Sequence, residues 1–487
     1  MIYIDPPYNR ESDGFVYSDQ FQLTAEELSS RFDCDETEAE FIVNTFAAQT
    51  HSGWLAFMYS RLKVARDLLC DDGVMFISID DVELPNLYVI CKELFGDKNI
   101  DCFVWRKSGS GRDGKMKNTN TFRKDHEYLL VMFKHVNYLN KAMEYPKWDK
   151  EYPNRDNDPR GPYEAGSMSR VEHDSQATHV NFYEVTSPSG KTFRRQFDVS
   201  ESEFAKLDKD KRIWWGIKGD AVPRIKIFLS EKRSVNSSSI LEVGTTTEGS
   251  KELDKLLGMD GLGNEFRPKP TALIKRLIQL GTRDGGDDIV MDFFAGTGTT
   301  GEAVMQLNAE DGGSRRFVLV QLDEKILKSK SPRSVAYCET KRKSKDISSI
   351  TLGRLRASGG AIKKSKEPYA CNTDVGFRVF KLVLRPFVQR ESSTGGLFVQ
   401  IRSERSSYLD VLFNLICSAG YTLDESFHSI LQGKVYNVGG DTFVVSSTSV
   451  ETLIKYTDSR IFVDGWGDLD LQLFVNEGLS SRTVVVY

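Results

Sequence analysis

Short apolar runs alternate with amphipathic stretches between Ile2 and about Lys134, a rhythm that predicts the strands and helices of a parallel α/β sheet. Met1–Ile4 reads as a short strand. Leu55, Met58, Leu62, Ala65 and Leu69 recur at helical spacing, so a helix is expected over Trp54–Leu69, stopped by Asp71-Asp72-Gly73. Val74–Ile79 is an unbroken apolar run and reads as a buried strand, followed by a helix at about Glu83–Phe95 with Gly96 as its C-cap. Further strands are expected at about Ile100–Trp105 and Glu127–Phe133. Between them, Arg106 to Lys124 is rich in Gly, Ser, Lys and Asn and reads as a long exposed loop. From about Asn140 to Phe266 the periodicity weakens while Pro, Gly, Trp and charged residues become frequent, which suggests an inserted, strand-rich domain. The α/β rhythm then resumes with a helix at Thr271–Leu280, a strand at Ile289–Phe293, a Gly-rich turn, a helix at about Thr300–Leu307 and a strand at Arg316–Leu322. Short β-rich runs and one helix near Leu409–Ala419 fill the last part of the chain. The expected organisation is two halves of one α/β domain (1–138 and 266–345), an insert (139–265) and a C-terminal α+β region (346–487), with no internal repeat.

Bulk properties narrow the function class. At 487 residues the chain holds two or three cores. No run of 18 apolar residues occurs and MIYIDPPYN is no secretory signal, so a soluble cytoplasmic protein without a membrane role is expected. The seven cysteines form no CxxC pair and no Cys/His cluster with zinc spacing; no metal site is expected, and each cysteine reads as a small buried residue in a reducing compartment. A net charge of −5 argues against a protein that coats nucleic acid, but not against a local basic surface. Such a surface is offered by Arg106, Lys107, Arg112, Lys115 and Lys117, which could grip phosphates. The second basic run, Lys341 to Lys345, reads equally well as a solvated face.

Two constellations carry chemistry. Asp5-Pro6-Pro7-Tyr8 directly follows a strand, and ligands of open parallel sheets sit at the strands' carboxyl ends. An exocyclic amine on a nucleobase is a poor nucleophile because its lone pair is delocalised into the ring. Asp5 can accept one amine hydrogen and the carbonyl of Pro6 the other, held in a loop that two prolines stiffen. Tyr8 offers a ring on which an extruded base can stack. The second constellation, Asp292-Phe293-Phe294-Ala295-Gly296-Thr297-Gly298-Thr299-Thr300-Gly301, joins a strand to a helix. Its glycines match GxGxxG, and Asp323-Glu324 ends the next strand, so a nicotinamide or flavin enzyme is the competing reading. Against it stand the mid-chain position, the polar residues Thr299, Thr300 and Glu302 after the turn, and a Pro-Pro-Tyr loop for which a dehydrogenase has no use. His51 and His126 read as structural, and Trp214-Trp215 as a buried pair.

Together the residues resemble the amino-methyltransferases of the β arrangement, in which the catalytic loop precedes the target-recognition region and the cofactor loop follows it. The chain looks most like the modification subunit of a type III restriction-modification system. The matching stretches are IYIDPPYN with DGFVYSDQF, GVMFISIDD, HEYLLVMFK, RGPY at 160–163, WWGIKGDAVPRIKIFL, KPTALIKRLIQLGT, VLVQLDE and DVGFRVFKL, which cover roughly residues 1–385. That resemblance implies a permuted Rossmann-like sheet and transfer of a methyl group from S-adenosylmethionine to adenine N6 of a flipped base in duplex DNA. It further implies a homodimer, a separate helicase-nuclease (restriction) subunit as partner, and specificity lodged in the insert. Asp5 to Tyr8 then form the catalytic loop. Asp5, Lys269, Asp292, Phe293, Phe294, Ala295, Gly296, Thr297, Gly298 and Thr299 hold the cofactor, and Asp323 or Glu324 its ribose. Members of the group normally carry a segment before the catalytic strand, whereas here Met1 all but begins that strand, so either the reading starts late or the chain is a truncated form whose sheet edge and substrate entrance are incomplete. The alternatives are a cytosine-N4 methyltransferase or a weakly catalytic, truncated DNA-recognition subunit.

Overall fold

The computed structural model describes residues 1–9, 51–109, 124–136, 142–144, 152–170, 178–231, 233–235, 237–382, 407–446, 459–464 and 479–486, with 35, 37 and 122 as isolated positions. Its elements run β1 (Ile2–Ile4), α1 (His51–Leu68), β2 (Val74–Ile79), α2 (Leu84–Phe95), β3 (Ile100–Arg106) and β4 (His126–Phe133). The insert contributes β5 (Ala142–Glu144), β6 (Tyr163–Ser167), β7 (Phe182–Thr186), β8 (Thr192–Gln196), α3 (Glu201–Lys209), β9 (Ile213–Trp214), β10 (Arg224–Phe228) and β11 (Arg233–Val235). Then come β12 (Ile240–Leu241), α4 (Thr246–Leu257), α5 (Leu262–Phe266), α6 (Thr271–Gly281), β13 (Ile289–Asp292), α7 (Thr299–Asp311), β14 (Arg316–Leu319), α8 (Pro332–Thr340) and α9 (Ile347–Ile362).

Seven strands form one sheet in the order β12-β3-β4-β2-β1-β13-β14. Both faces are covered, which explains why every residue of β2 is buried and its sequence is continuously apolar. On one face Ile2, Ile4, Met75 and Ile77 meet Trp54, Met58 and Leu62 of α1 and Leu87 and Cys91 of α2. On the other, Tyr3, Val74, Phe76 and Val290 meet Leu273, Leu277 and Ile278 of α6 and Ala303, Val304 and Leu307 of α7. The expectation of an entirely parallel sheet needs one correction. β4 runs antiparallel to both β2 and β3, while β1, β2, β13 and β14 pair in parallel. The antiparallel pairing of β3 with β4 sets Arg106 at the end of β3 opposite His126 at the start of β4.

From β1 the chain builds outward through β2, and from β13 it builds the opposite way through β14. The topological switch of the sheet therefore falls between β1 and β13, where Ile2 pairs with Met291. That register brings the loops after Ile4 and after Asp292 to the same end of adjacent strands.

The insert holds small sheets, β6-β10-β9 and β7-β8, and buries the two tryptophans. Trp214 packs with Tyr163 and Phe228, and Trp215 with Phe193 and Phe204. Lys226, also buried, is neutralised by Asp156 and Asp158.

Two compact units divide at Val375/Gly376. The expected boundary at 346 thus lies too early, because α9 joins the first unit through Ile347 and Ile350, which pack with Leu253, Phe266 and Val335. In the second unit a five-stranded sheet, β15 to β19 (Phe427–Leu431, Val435–Val438, Asp441–Val444, Ile461–Asp464, Thr483–Val486), carries α10 (Tyr408–Ser418) on one face through Leu412, Leu415 and Ile416. Cys91 and Cys338 are buried as expected, but Cys70, Cys371 and Cys417 are exposed; Cys34 lies outside the described residues. No helix among the described residues is long and apolar enough to cross a membrane.

Candidate functional site

The loop after β1 is fixed from three sides. Trp54 Nε1 donates to the Pro7 carbonyl at 2.7 Å, tying the loop to α1. Asn9, in the left-handed region at φ 57°, donates to Glu83 Oε1 at 2.6 Å. Glu83 is fully buried and also takes Asn86 Nδ2 at 2.9 Å and His51 Nδ1 at 2.7 Å. His51 therefore serves the loop's scaffold, and His126 meets its neighbour Tyr128 at 3.1 Å. None of the described residues donates to the Pro6 carbonyl.

Asp5 stands at the centre of a compact charge cluster. Tyr8 donates its hydroxyl to Asp5 Oδ1 at 2.7 Å, and Lys269 Nζ reaches both Asp5 oxygens at 3.0 Å and the Tyr8 oxygen at 2.8 Å. Lys269 also meets Glu127 Oε2 at 3.1 Å, and Lys107 closes the chain on Glu127 Oε1 at 3.2 Å. Two carboxylates thus face two ammonium groups. Burial disfavours charge on Lys269, but Asp5 and Glu127 outweigh it, so its ammonium is held above the usual lysine range. Burial likewise pushes Glu127 toward the neutral form, yet Lys269 and Lys107 reverse this and lower its carboxyl. Tyr8 is raised well above the ordinary phenol range by burial and by the charges of Asp5 and Glu127.

The Gly-rich loop lies beside this cluster. Its first residue, Asp292, accepts the Phe294 amide at 3.0 Å and the Thr300 hydroxyl at 2.6 Å, closing strand, turn and helix into one unit. Gly296 and Gly298 both take positive φ, 52° and 86°. A Cβ on Gly298 would also stand 3.0 Å from Thr351 Cγ2, so Gly298→Ala is expected to cost about 1–2 kcal/mol in denaturant unfolding, mostly from the left-handed backbone. Gly301 serves packing instead, since its Cβ would meet Leu355 Cδ2 at 2.6 Å. Phe293 and Phe294 are half-buried, and Phe294 faces Phe57 of α1 with ring centroids 6.0 Å apart.

Burial pushes the Asp292 carboxyl up to about 7 from an ordinary value near 3.8; Thr300 and the Phe294 amide pull it down, and the charge of Asp5 adds to the rise. The folded chain accordingly binds this proton more tightly than the unfolded chain. Stability then falls as pH rises between those two values and levels off above them, by on the order of 4 kcal/mol for this group. Urea titrations at pH 5 and pH 8 are expected to show this loss in the wild type and a smaller one in Asp292→Asn. Equal slopes would refute it.

Several expected site residues are placed differently. The strand after the Gly-rich loop ends at Leu319 rather than Leu322, and it is Gln321 that reaches the loop, accepting the Gly296 amide at 2.8 Å. Asp323 is exposed, and Glu324 makes its visible contact through its backbone carbonyl, to Ile347. Because β14 stops at Leu319, Gln321 lies just past the strand beside the loop, while Asp323 and Glu324 lie farther along the chain. Lys107 turns inward to Glu127 instead of outward to phosphates, and Arg106 pairs on the surface with Glu242 at 3.0 Å. Arg112, Lys115 and Lys117 lie outside the described residues. Sequence reasoning missed Glu127, Gln321, Thr351 and Arg354. Only Glu127 carried a signal, as an acidic residue inside an otherwise apolar strand.

Residues 1–331 match the family model N6_N4_Mtase, described as DNA methylase. The Mod subunit of the type III restriction-modification enzyme StyLTI of Salmonella typhimurium is 32% identical over 389 residues, covering 78% of this chain and 56% of that protein. The EcoPI Mod subunit of Escherichia phage P1 is 32% identical over 428 residues, covering 79% of this chain and 62% of that protein. The chain thus spans about three fifths of the length of these relatives. A solved structure described as a DNA modification methylase of Thermus thermophilus aligns at 14% identity and a TM-score of 0.27, over 69% of this chain and 85% of that one.

Proposed function

The chain belongs to the N6/N4 DNA methylase family, and on that premise we propose that it transfers a methyl group from S-adenosylmethionine to adenine N6 of an extruded base in duplex DNA. In this reading it is the modification subunit of a type III restriction-modification system and acts in the cytoplasm. It pairs with a second copy of itself and with a restriction subunit, and residues 139–265 recognise the target. The observation that carries the reading is the meeting, at the switch point of the sheet, of the Asp5–Tyr8–Lys269 cluster and the Gly-rich loop.

The donor set fits the cofactor. Helix α7 starts at Gly298 with no side chain capping it, so its first amides are not taken by a side chain and can serve a polar ligand, while the partly exposed Asp5 carboxylate on the adjacent strand's loop can serve a cationic one. Asp5, Lys269, Asp292 to Thr299 and Gln321 would hold it, with Gln321 taking the place expected of Asp323 or Glu324. When bound, S-adenosylmethionine supplies an electrophilic methyl group.

The chain's own residues supply the rest. Asp5 and the Pro6 carbonyl accept the two amine hydrogens, which localises the lone pair on the nitrogen. Once the amine has taken the methyl group and become cationic, the cofactor's sulfur keeping the pair of the broken S–C bond, Asp5 would receive one of those protons. Tyr8, fixed by Asp5 and Lys269, stacks on the base, worth about 1–3 kcal/mol against the cost of extrusion. Trp54 and Glu83 hold the loop in place, so that little reorganisation remains when the base arrives.

The test is transfer of labelled methyl groups to duplex DNA, followed by mass analysis of the nucleosides. N6-methyladenine is expected. N4-methylcytosine as sole product would overturn the choice of base, and cofactor binding without transfer to any DNA would overturn the enzyme reading.

A further inference from the structure

Beyond the catalytic and cofactor loops, one buried side chain ties the site's cofactor side together. Arg354 of α9 is 0% exposed. Its Nη1 donates to Thr297 Oγ1 at 2.9 Å and Thr299 Oγ1 at 2.6 Å, and its Nε donates to Glu302 Oε2 at 2.5 Å. One helical turn earlier, Thr351 Oγ1 donates to the Gly296 carbonyl at 2.5 Å. Helix α9 therefore grips the Gly-rich loop at Gly296, Thr297 and Thr299, on both sides of the left-handed Gly298.

We infer that Arg354 is the positioning residue of the cofactor loop: by holding the Thr297 and Thr299 hydroxyls on either side of the left-handed Gly298, it fixes the backbone of the turn and the first turn of α7 that serve the cofactor. The inference rests on the functional reading above and deepens it. The N-cap position of α7 is Gly298, which has no side chain to brace the turn, so the flanking threonines are its side-chain handles, and one guanidinium takes both hydroxyls. A guanidinium suits this task because its planar fork reaches two hydroxyls and a carboxylate at once, which a lysine ammonium does less well. Arg354 Nη2 is buried without an acceptor among the described residues, a cost that packing alone gives no reason to retain.

The same group reaches the other half of the site. Glu252 of α4 feels the charges of Arg354 and Glu302, and its Oε2 accepts the Thr271 amide at 2.9 Å. Thr271 opens α6, two residues after Lys269. Glu252 thus lies within electrostatic reach of the Arg354–Glu302 pair and holds the start of the helix that follows Lys269.

The full chain is tested by calorimetry with S-adenosylmethionine, fluorescence anisotropy with duplex DNA, and hydrogen exchange of amides 297–302. Arg354→Met is expected to weaken cofactor binding at least tenfold, to speed exchange of those amides and to leave DNA affinity within twofold; Arg354→Lys recovers part of the loss. Should Arg354→Met fail to fold, the pair Thr297→Val and Thr299→Val carries the same expectation. Cofactor affinity within twofold of wild type in the folded variant would overturn the inference alone. Wild-type protein that binds no S-adenosylmethionine would overturn it together with the functional reading.

Discussion

Asp5→Ala is expected to slow methyl transfer to duplex DNA by about 10²–10³-fold, the value of one preorganised hydrogen-bond partner aimed at developing charge. Asp5 directly precedes Pro6 in the loop, and its Oδ1 already organises both Tyr8 and Lys269. The loss should fall on the rate rather than on the fold. Lys269 keeps Glu127 at 3.1 Å as a counter-ion, and the loop remains anchored by Trp54 and Asn9. Asp5→Asn sharpens the test, since it preserves shape and one acceptor oxygen but turns a donor toward the amine. Single-turnover transfer of labelled methyl groups, with cofactor affinity measured in parallel, separates these effects. A rate for Asp5→Ala within tenfold of wild type would remove Asp5 from the chemistry.

How much of this was legible in the sequence depends on the range over which each feature is encoded. The strands and helices of the central sheet were, because a sheet covered on both faces requires unbroken apolar strands such as Val74–Ile79 and helices with an apolar stripe such as Trp54–Leu69. The two loops were legible because proline and glycine constrain the backbone locally. The reversed direction of β4 was not, since an apolar strand looks the same in either direction. Neither was the inward turn of Lys107: a lysine in a basic run reads as solvated until Glu127, on the neighbouring strand, is placed beside it. Arg354 was the least visible. It stands in a helix without acidic neighbours, and its partners Thr297, Thr299 and Glu302 lie more than fifty positions away in the chain. The polarity of Thr299 and Glu302 departs from dinucleotide-binding turns, and Arg354 supplies its physical reason: both face a buried guanidinium.

Lys269→Met is the variant expected to damage stability most. Methionine fills nearly the same volume, so the effect isolates the charge. Its loss leaves Asp5 and Glu127 facing each other with Lys107 alone between them and solvent. Breaking a buried ion pair by removing one partner costs about 3–5 kcal/mol, because the remaining charge stays desolvated. Lys269→Met/Glu127→Gln should cost less than the sum of the two single changes, with a coupling of about 0.5–3 kcal/mol in a double-mutant cycle. The pH dependence carries the same signature. Glu127 is lowered below its ordinary 4.5 by Lys269 and Lys107 against the opposing effect of burial. It therefore contributes stability that is present above that value and lost as pH falls toward the lowered one. Without Lys269 that contribution shrinks, so the gap between variant and wild type should be widest near neutrality and close as the solution is acidified. Urea titrations from pH 7 down to about pH 3 test this. A gap that stays constant with pH would mean that Lys269 holds the site through packing, and that its pairing with Glu127 is incidental.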